Sequence, residues 1–298
     1  MSSITANSVI VGEERQRWLA IGAGVLATLI WGSTFVIVKF SLEDMGVLTM
    51  AGLRYVIAFM VLLPGVIRYR GEWQKWPRGV WYRLALLGVA TYMVGTGAMF
   101  WSLRTLSAGL ASLLMGLVPL LVLILEQVWL GQRPLPRQII GVLISLIGLG
   151  LFVMPNQFIA DPFGLFLIGV ATFAFVLFAV LGRETTQYYP IPTFLLTAWP
   201  FFFGGVGMML VAMVVEGAPQ ATAAGWFWIM VMGVVNTAVA YLFYNYALQT
   251  LTALQLNALV YSSPIVTALL AFLVLGEVVT GWQAVAIGLV VLGVIRVQ

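Results

Sequence analysis

Ten runs of about 20 apolar residues, joined by short connections, dominate this sequence. Because a helix needs about that many apolar residues to cross the hydrocarbon core of a bilayer, each run predicts one transmembrane helix. The runs lie at roughly 18–40, 46–67, 81–103, 108–130, 136–154, 162–182, 191–215, 224–248, 253–276 and 281–297. The predicted fold is an all-α integral membrane protein, a bundle of ten transmembrane helices with no separate soluble domain.

The amino-acid composition limits the classes of function that this chain can have. Of the 298 residues, 62% are hydrophobic and 8% are charged, whereas soluble proteins carry about 25% charged residues. The chain has no cysteine and no histidine, which removes thiol nucleophiles, the usual general base and the usual zinc and haem ligands. It also lacks a GxxxxGK[ST] loop for ATP. We therefore predict no cofactor, no metal site and no enzymatic activity.

The distribution of lysine and arginine predicts the orientation, because these residues concentrate in cytoplasmic loops. With the N-terminus inside, most of the 14 basic residues fall on the inner side, namely Arg15, Arg17, Arg68, Arg70, Lys75, Arg78, Arg83, Arg133, Arg137, Arg183 and Arg296. Lys39, Arg54 and Arg104 fall on or toward the outer side. Both termini are therefore predicted to be cytoplasmic. The net charge of +4 is attributed to this topology and not to a nucleic-acid partner.

The chain repeats itself at a constant offset. A shift of 145 residues aligns the third to fifth runs on the eighth to tenth without a gap. The identical pairs are Gly88/Gly233, Val89/Val234, Leu103/Leu248, Thr105/Thr250, Leu106/Leu251, Ala108/Ala253, Pro119/Pro264, Leu130/Leu275, Gly131/Gly276, Gln138/Gln283 and Gly148/Gly293. We predict one five-helix repeat over 1–155 and a second over 156–298. Because five is odd, the second repeat enters the membrane inverted, and such pairs enclose a midplane site with alternating access.

Three features together resemble the EamA-type members of the drug/metabolite transporter superfamily. They are "LIWGSTFVIVK" at 29–39, the two five-helix halves, and the proline-containing helix that ends in Leu-Gly-Glu at 275–277. Within that superfamily the chain is most similar to the YddG-type aromatic amino-acid exporters of bacterial inner membranes. The resemblance implies metabolite export across that membrane. The first half departs from the pattern, since Gln132 stands where the second half has Glu277.

Helical spacing places polar and aromatic side chains together on one face of several runs. At membrane depth such side chains need hydrogen-bond partners, so they face either neighbouring helices or a wet cavity. Aromatic and methionine walls with a few polar groups would suit a flat amphipathic solute. The predicted substrate-binding residues are Trp31, Thr34, Tyr92, Thr96, Met99, Trp101, Met115, Thr172, Phe175, Tyr241, Tyr244, Asn245, Asn257, Tyr261 and Ser262.

Two bases stand apart from the inner loops. Lys39 ends the first run, and Arg54 lies about 12 Å into the second run at 1.5 Å per residue. One interpretation is capture of a substrate carboxylate or closure of an outer gate. The other is extension of the side chains to the surface, or pairing with Glu43 or Asp44.

Pro119 and Pro264 stand within matching runs. There a proline removes one helical hydrogen bond and bends the axis, either as one of two symmetric hinges or as a passive kink. No carboxylate falls near the middle of a run. An antiporter built around a buried acid is therefore disfavoured relative to facilitated export.

These observations predict a secondary transporter that exports small amphipathic metabolites, first among them aromatic and other neutral amino acids, through a central cavity. Purines and planar cationic drugs are the alternative substrates. A membrane-embedded lipid-modifying enzyme is the alternative from a different class. The predicted partners are a small-molecule substrate and membrane lipid, and a monomer suffices.

Overall fold

The computed structural model describes residues 2–41, 44–118, 120–122, 124–125, 135–153, 161–251, 256, 259–260 and 262–297. Within these residues the regular structure is entirely helical. The helices long and apolar enough to cross a membrane are Glu14–Lys39, Val47–Arg68, Arg78–Ser102, Pro162–Gly182, Thr193–Val215 and Ala223–Ala247. They fall in the first, second, third, sixth, seventh and eighth predicted spans. The other predicted spans contain shorter apolar helices, at Ala108–Val122, Pro136–Phe152, Ser263–Leu275 and Gly281–Gly293.

We number the main helices in chain order. They are α1 (Ser2–Ser41), α2 (Val47–Arg68), α3 (Arg78–Ser102), α4 (Ala108–Met115), α5 (Pro136–Val153), α6 (Pro162–Tyr188), α7 (Thr193–Val215), α8 (Ala223–Gly233, Val234–Val239 and Ala240–Leu248), α9 (Ser263–Leu275) and α10 (Gly281–Val297). A single helical turn, Arg70–Trp73, follows α2. Helix α1 begins well before the predicted start at residue 18, because helical backbone continues into the polar N-terminal segment.

Helices α3 and α8 each contain a π-helical segment, Gly88–Gly95 and Val234–Val239 respectively. A shift of 145 residues carries the first segment onto 233–240, which contains the second. A π-helical turn holds more residues than an α-helical turn, so it changes which side chains share a face. Such segments are frequent at functional sites.

The prediction of a proline kink inside the ninth span is wrong. Helix α9 begins at Ser263, and Pro264 stands in its first turn. In that position the missing N–H has no helical partner to lose, and the fixed φ angle suits the helix. A turn at Ser262 separates α9 from the helical residues Leu259 and Val260. Pro119 lies outside the described residues.

Helix pairing links the two halves. Helix α5 packs against α10, and α2 packs against α7. Helix α1 packs against α8 and α9, whereas α6 packs against α3 and α4. The first helix of each half thus lies against the third and fourth helices of the other half.

The contact between α5 and α10 is reciprocal at residue level. A Cβ atom at Gly148 would lie 2.8 Å from the backbone nitrogen of Val290, and one at Gly293 would lie 2.7 Å from that of Ser145. These two contacts exchange under the 145-residue shift. The backbones approach too closely for a side chain at either position, so glycine is required at both. Ser145 Oγ adds a hydrogen bond to the carbonyl oxygen of Val290 at 3.2 Å.

The recurring glutamine has a local role in both halves. Gln138 Oε1 accepts a hydrogen bond from the Leu135 N–H at 2.8 Å, and Gln283 Oε1 accepts one from the Thr280 N–H at 2.9 Å. Each glutamine is the third residue of its helix and reaches back to the residue that precedes the helix, as in a capping box. The pair Gln138/Gln283 therefore marks the start of α5 and of α10.

Candidate functional site

Two tyrosines connect α3 to α8 near the centre of the bundle. The hydroxyls of Tyr92 and Tyr241 are 3.3 Å apart. Tyr92 also packs against Tyr55 at 4.6 Å and Phe201 at 4.9 Å between ring centroids, and Tyr241 lies 5.0 Å from both Phe201 and Trp31. We call these five residues the central aromatic cluster. They come from α1, α2, α3, α7 and α8, so the cluster contains helices from both halves.

Several predicted residues border this cluster. The Tyr244 ring lies 5.4 Å from Trp31. The Thr96 Oγ1 and Tyr55 hydroxyl oxygens are 2.7 Å apart. Thr34 is buried and accepts a hydrogen bond from Asn236 Nδ2 at 3.2 Å. The structure therefore brings Trp31, Thr34, Tyr92, Thr96, Tyr241 and Tyr244 together.

Asn236 and Thr237 were not predicted, although both connect helices at this place. Asn236 Nδ2 lies within hydrogen-bonding distance of Ile30 O at 2.7 Å and Ser33 Oγ at 2.9 Å, both on α1. Both unpredicted residues belong to the π-helical segment of α8. Face assignment at 3.6 residues per turn fails across such a segment. An asparagine within an apolar run was nevertheless a usable signal.

Asn245, which was predicted, differs from Asn236. Its Oδ1 atom is buried and accepts no hydrogen bond from any described residue. It lies one helical turn beyond Tyr241 on α8. An unsatisfied buried carbonyl oxygen is costly and therefore unusual in a folded interior. Asn245 thus offers an acceptor beside the central aromatic cluster.

Arg54 is enclosed by both halves. Its side chain belongs to a residue that is 5% exposed, and its Nε–H donates to Thr237 Oγ1 at 3.0 Å. The guanidinium carbon lies 5.0 Å from the Tyr55 ring centroid and 5.4 Å from that of Phe100. The side chain therefore points into the bundle beside the cluster and does not extend to the surface.

Lys39 and Glu277 form an ion pair at one end of the bundle. Lys39 Nζ lies 3.6 Å from Glu277 Oε1 and donates to Leu106 O at 2.8 Å. The Glu277 carboxylate also accepts from the N–H groups of Ala108 at 3.0 Å and Gly109 at 3.3 Å, at the start of α4. Negative charge is favoured at a helix N-terminus. The carboxylate therefore pairs with the lysine and stabilises the start of α4 at the same time.

A second carboxylate caps a helix at the same end. Glu216, which follows α7, accepts from the N–H groups of Leu48 at 3.0 Å and Thr49 at 2.8 Å near the start of α2. We call the end of the bundle that holds Glu216 and Glu277 the glutamate end. Each of these acids belongs to the second half and caps a helix of the first half.

The Leu-Gly-Glu ending explains the placement of Glu277. Gly276 ends α9 with φ 66° and ψ 18°, in the left-handed region. Glycine adopts this conformation without the steric cost that other residues meet. The turn brings the Glu277 N–H to the Ala271 carbonyl oxygen at 3.2 Å. The glycine therefore ends the helix and directs the next side chain toward α4.

Asp161 caps a further helix start. Its Oδ2 atom accepts from the Gly164 N–H at 2.9 Å in the first turn of α6. The pKa of the Asp161 carboxyl is lowered, first by this backbone N–H and then by the Thr105 side chain, because both donate to the charged form. The group therefore remains ionised at neutral pH.

Other predicted residues lie elsewhere. Met99 is buried in an apolar core, and the half-buried Trp101 and Met115 pack against that core. Thr172 Oγ1 donates to Ile168 O at 2.7 Å within α6, and Phe175 is half-buried on the same helix. Ser262 Oγ likewise donates locally, to Leu259 O at 2.6 Å. Asn257 and Tyr261 lie outside the described residues, as does the possible partner Glu43.

Two cavities occur away from the central aromatic cluster. One of about 170 Å³ touches Glu277 and is also lined by Ser107, Gly109, Phe152 and Gln283, among others. An apolar one of about 350 Å³ lies between α9 and α10. Neither is lined by a residue of the cluster, whose rings pack against one another.

Comparisons with known proteins give a consistent result. The model of the EamA-like transporter family matches the chain twice, over residues 18–154 and 162–297. An uncharacterized transporter of Archaeoglobus fulgidus is 25% identical over 94% of this chain and 97% of its own length. Protein PecM of Dickeya dadantii is 27% identical over 91% of this chain and 90% of its own length.

Two further matches concern location and fold. The uncharacterized inner membrane transporter YedA of Escherichia coli K12 is 24% identical over 95% of this chain and 92% of its own length. One solved crystal structure, 20% identical, superposes with a TM-score of 0.70 over 94% of this chain and 97% of that one. This last likeness shows a shared fold.

Proposed function

The chain belongs to the EamA-like transporter family, and from that premise we propose that it is a secondary exporter of small amphipathic metabolites. Aromatic and other neutral amino acids are the first candidate substrates. The protein is a multi-pass membrane protein, and we assign it to a bacterial inner membrane by analogy with YedA. The positive-inside rule supports cytoplasmic termini.

We infer that the two halves are inverted five-helix repeats. Support comes from the double match to one family model and from the helix pairs that exchange between halves. The reciprocal glycine contacts, the paired glutamine caps and the two π-helical segments recur at the same 145-residue offset. The odd number of helices in each repeat and the asymmetry of basic loops support opposite orientations.

The observation that carries the functional proposal is the contact between Tyr92 and Tyr241 inside the central aromatic cluster. It joins α3 to α8, the third helix of each proposed repeat, and inverted repeats enclose their substrate site between them. Flat rings with a few polar atoms suit an aromatic or other amphipathic solute. To admit such a solute, the rings must separate.

Alternating access supplies that movement. In the conformation described, carboxylates of the second half join it to helices of the first half at the glutamate end. We assign this end to the outside, so the conformation is closed outward. Export then requires that these bonds break while the opposite end closes. No buried carboxylate is needed in this scheme, and we favour facilitated export over proton antiport.

Flux measurements test the proposal. Purified protein in proteoliposomes should carry labelled phenylalanine or tryptophan, and unlabelled adenine and a planar cation should compete less well than amino acids. Tyr244→Ala should slow flux because it removes a ring from the site, whereas Tyr246→Ala, at an exposed position of the same helix, should not.

Three results would contradict parts of the proposal. Turnover of a lipid without solute flux would establish the enzymatic alternative. Preferential competition by the purine or the cation would replace the substrate class. Counterflow that depends strictly on an imposed proton gradient would overturn facilitated export.

A further inference from the structure

Arg54 carries a positive charge inside the bundle. It lies within α2, which begins at Val47, and is 5% exposed. A guanidinium group stays protonated in proteins. A charge enclosed in a membrane bundle is costly unless a partner compensates it, and such residues commonly mark transport pathways.

The described residues compensate this charge in part. Arg54 Nε–H donates to a neutral hydroxyl, Thr237 Oγ1, and the guanidinium faces the rings of Tyr55 and Phe100. In the described ranges no carboxylate lies within 4.0 Å of it, and the ion pairs found there join Lys39 to Glu277 and Arg83 to Glu184. A guanidinium has five N–H donors. Among the described residues, the hydrogen bond found for this guanidinium is the one from its Nε–H, which leaves its Nη groups available to a bound anion.

The position of Arg54 relates it to the central aromatic cluster. Thr237 precedes Tyr241 by one helical turn on α8, and Tyr241 contacts Tyr92. Tyr55, the residue after Arg54, belongs to the cluster itself and pairs with Thr96 of α3. The guanidinium thus stands at the edge of the cluster, where α2, α3 and α8 meet.

We propose that Arg54 binds the carboxylate of the transported substrate. This inference rests on the proposed transport function and names its substrate class, a small solute with an aromatic or apolar body and one carboxylate. The planar guanidinium can bind both oxygens of a carboxylate at once. Cation–π contact with Tyr55 and Phe100 holds the group in place.

The same charge selects against the alternative substrates. A planar cation placed beside Arg54 meets a like charge in a medium of low dielectric constant. A neutral purine leaves the guanidinium without an anionic partner. Amino acids and aromatic carboxylic acids avoid both costs.

Three solutes that share a phenyl group but differ in their charged groups test this proposal. Phenylalanine has a carboxylate and an ammonium group, 3-phenylpropionate has the carboxylate alone, and phenethylamine has the ammonium group alone. Each labelled solute is assayed for flux in proteoliposomes and for binding to purified protein by thermal shift. The variants are Arg54→Gln, Arg54→Lys and, as a matched control at an exposed position, Arg78→Gln.

We expect wild-type protein to bind and carry the two carboxylates and to exclude phenethylamine. Arg54→Gln should weaken binding of both carboxylates by roughly 10- to 100-fold, since it removes charged hydrogen bonds. Arg54→Lys should weaken it less, because lysine keeps the charge but loses the planar fork. Arg78→Gln should behave as wild type.

Three outcomes would contradict the proposed role of Arg54 without contradicting the proposed transport function. They are unchanged carboxylate binding by Arg54→Gln, wild-type preference for phenethylamine, and an equal loss for all three solutes together with a lower melting temperature. If Arg54→Gln does not fold, Arg54→Lys decides, and equal affinity for the three solutes contradicts the proposal. If wild type carries neither these solutes nor adenine, the proposed function fails and the inference fails with it.

Discussion

Two asparagines on α8, the buried Asn236 and the half-buried Asn245, illustrate two roles that a polar residue can have inside a helical bundle. The Nδ2 atom of Asn236 lies within hydrogen-bonding distance of three acceptors on α1, whereas Asn245 Oδ1 accepts from no described residue. The first arrangement joins helices. The second leaves an acceptor that, in the proposed function, a bound solute would satisfy. The sequence alone cannot separate these roles, because both residues are asparagines within one apolar run.

Leucine substitutions should separate the two roles. Asn236→Leu removes interhelical hydrogen bonds and should lower the free energy of unfolding by about 1–2 kcal/mol. Asn245→Leu removes an unsatisfied acceptor, so it should change that free energy by less than about 0.5 kcal/mol and yet slow transport. Reversible unfolding in mixed micelles and proteoliposome flux measure the two effects. Normal flux in Asn245→Leu would assign this residue to packing.

The contact between Tyr92 and Tyr241 can be measured with a double-mutant cycle. Each tyrosine is changed to phenylalanine singly and in combination, which removes the hydroxyl and keeps the ring. We expect a coupling energy of about 0.6 kcal/mol, the usual size for hydrogen bonds between membrane helices. Additive effects on the free energy of unfolding would mean that the two hydroxyls, 3.3 Å apart, do not stabilise each other.

At the scale of helices, residues that recur at the offset of 145 mark local features of the described structure. The pairs Gly148/Gly293 and Gln138/Gln283 mark a close helix contact and a helix start, respectively. These are local requirements, and so they remain visible in the sequence. The same offset relates the two π-helical segments, but their presence was not predicted, because apolar residues give no sign of a turn with an added residue.

The partners of the acidic residues were also beyond prediction. The sequence places Glu277 at the end of the proline-containing helix, yet its hydrogen bonds to Ala108 and Gly109 span more than half of the chain. Contacts at such separation depend on the packing of whole helices. Tyr55 and Phe201 of the central aromatic cluster were also not predicted, because each sits on an otherwise apolar helix face.

Two glycines on α5 provide a matched test of the contact with α10. Gly148→Ala should lower the free energy of unfolding by about 1–3 kcal/mol, because the new methyl group would meet backbone atoms that cannot move aside. Gly150→Ala meets nothing within 4 Å and should be neutral or stabilising by up to about 1 kcal/mol. Thermal unfolding in detergent compares the variants. Equal melting temperatures would contradict the close contact.

At the scale of the whole molecule, a movement of one half relative to the other would change both the glutamate end and the central aromatic cluster. Both include contacts between the halves, so the proposed alternating movement would break contacts at the glutamate end while it rearranges the rings of the cluster. Glu277 has a central part in this closure, because a single carboxylate contacts Lys39 and two N–H groups of α4. Its removal should therefore favour opening at this end.

Cysteine labelling reports that opening, since the natural chain contains no cysteine. Ser107→Cys places one thiol in the cavity that touches Glu277. A membrane-impermeant maleimide should label it slowly in the wild-type background and roughly tenfold faster with Glu277→Gln, a shift of about 1.4 kcal/mol toward the open form. Lys75→Gln, which removes an exposed charge elsewhere, should leave the rate unchanged.

A charge exchange then distinguishes a simple ion pair from a capped helix. If the Lys39–Glu277 attraction alone closed this end, combining Lys39→Glu with Glu277→Lys would restore slow labelling. We expect no restoration, because a cation at position 277 would face the N–H groups and the positive dipole end of α4. Glu277→Asp, which keeps the charge, should restore more than the exchange does. Full recovery in the exchanged variant would show that the ion pair, and not the helix cap, holds the glutamate end closed.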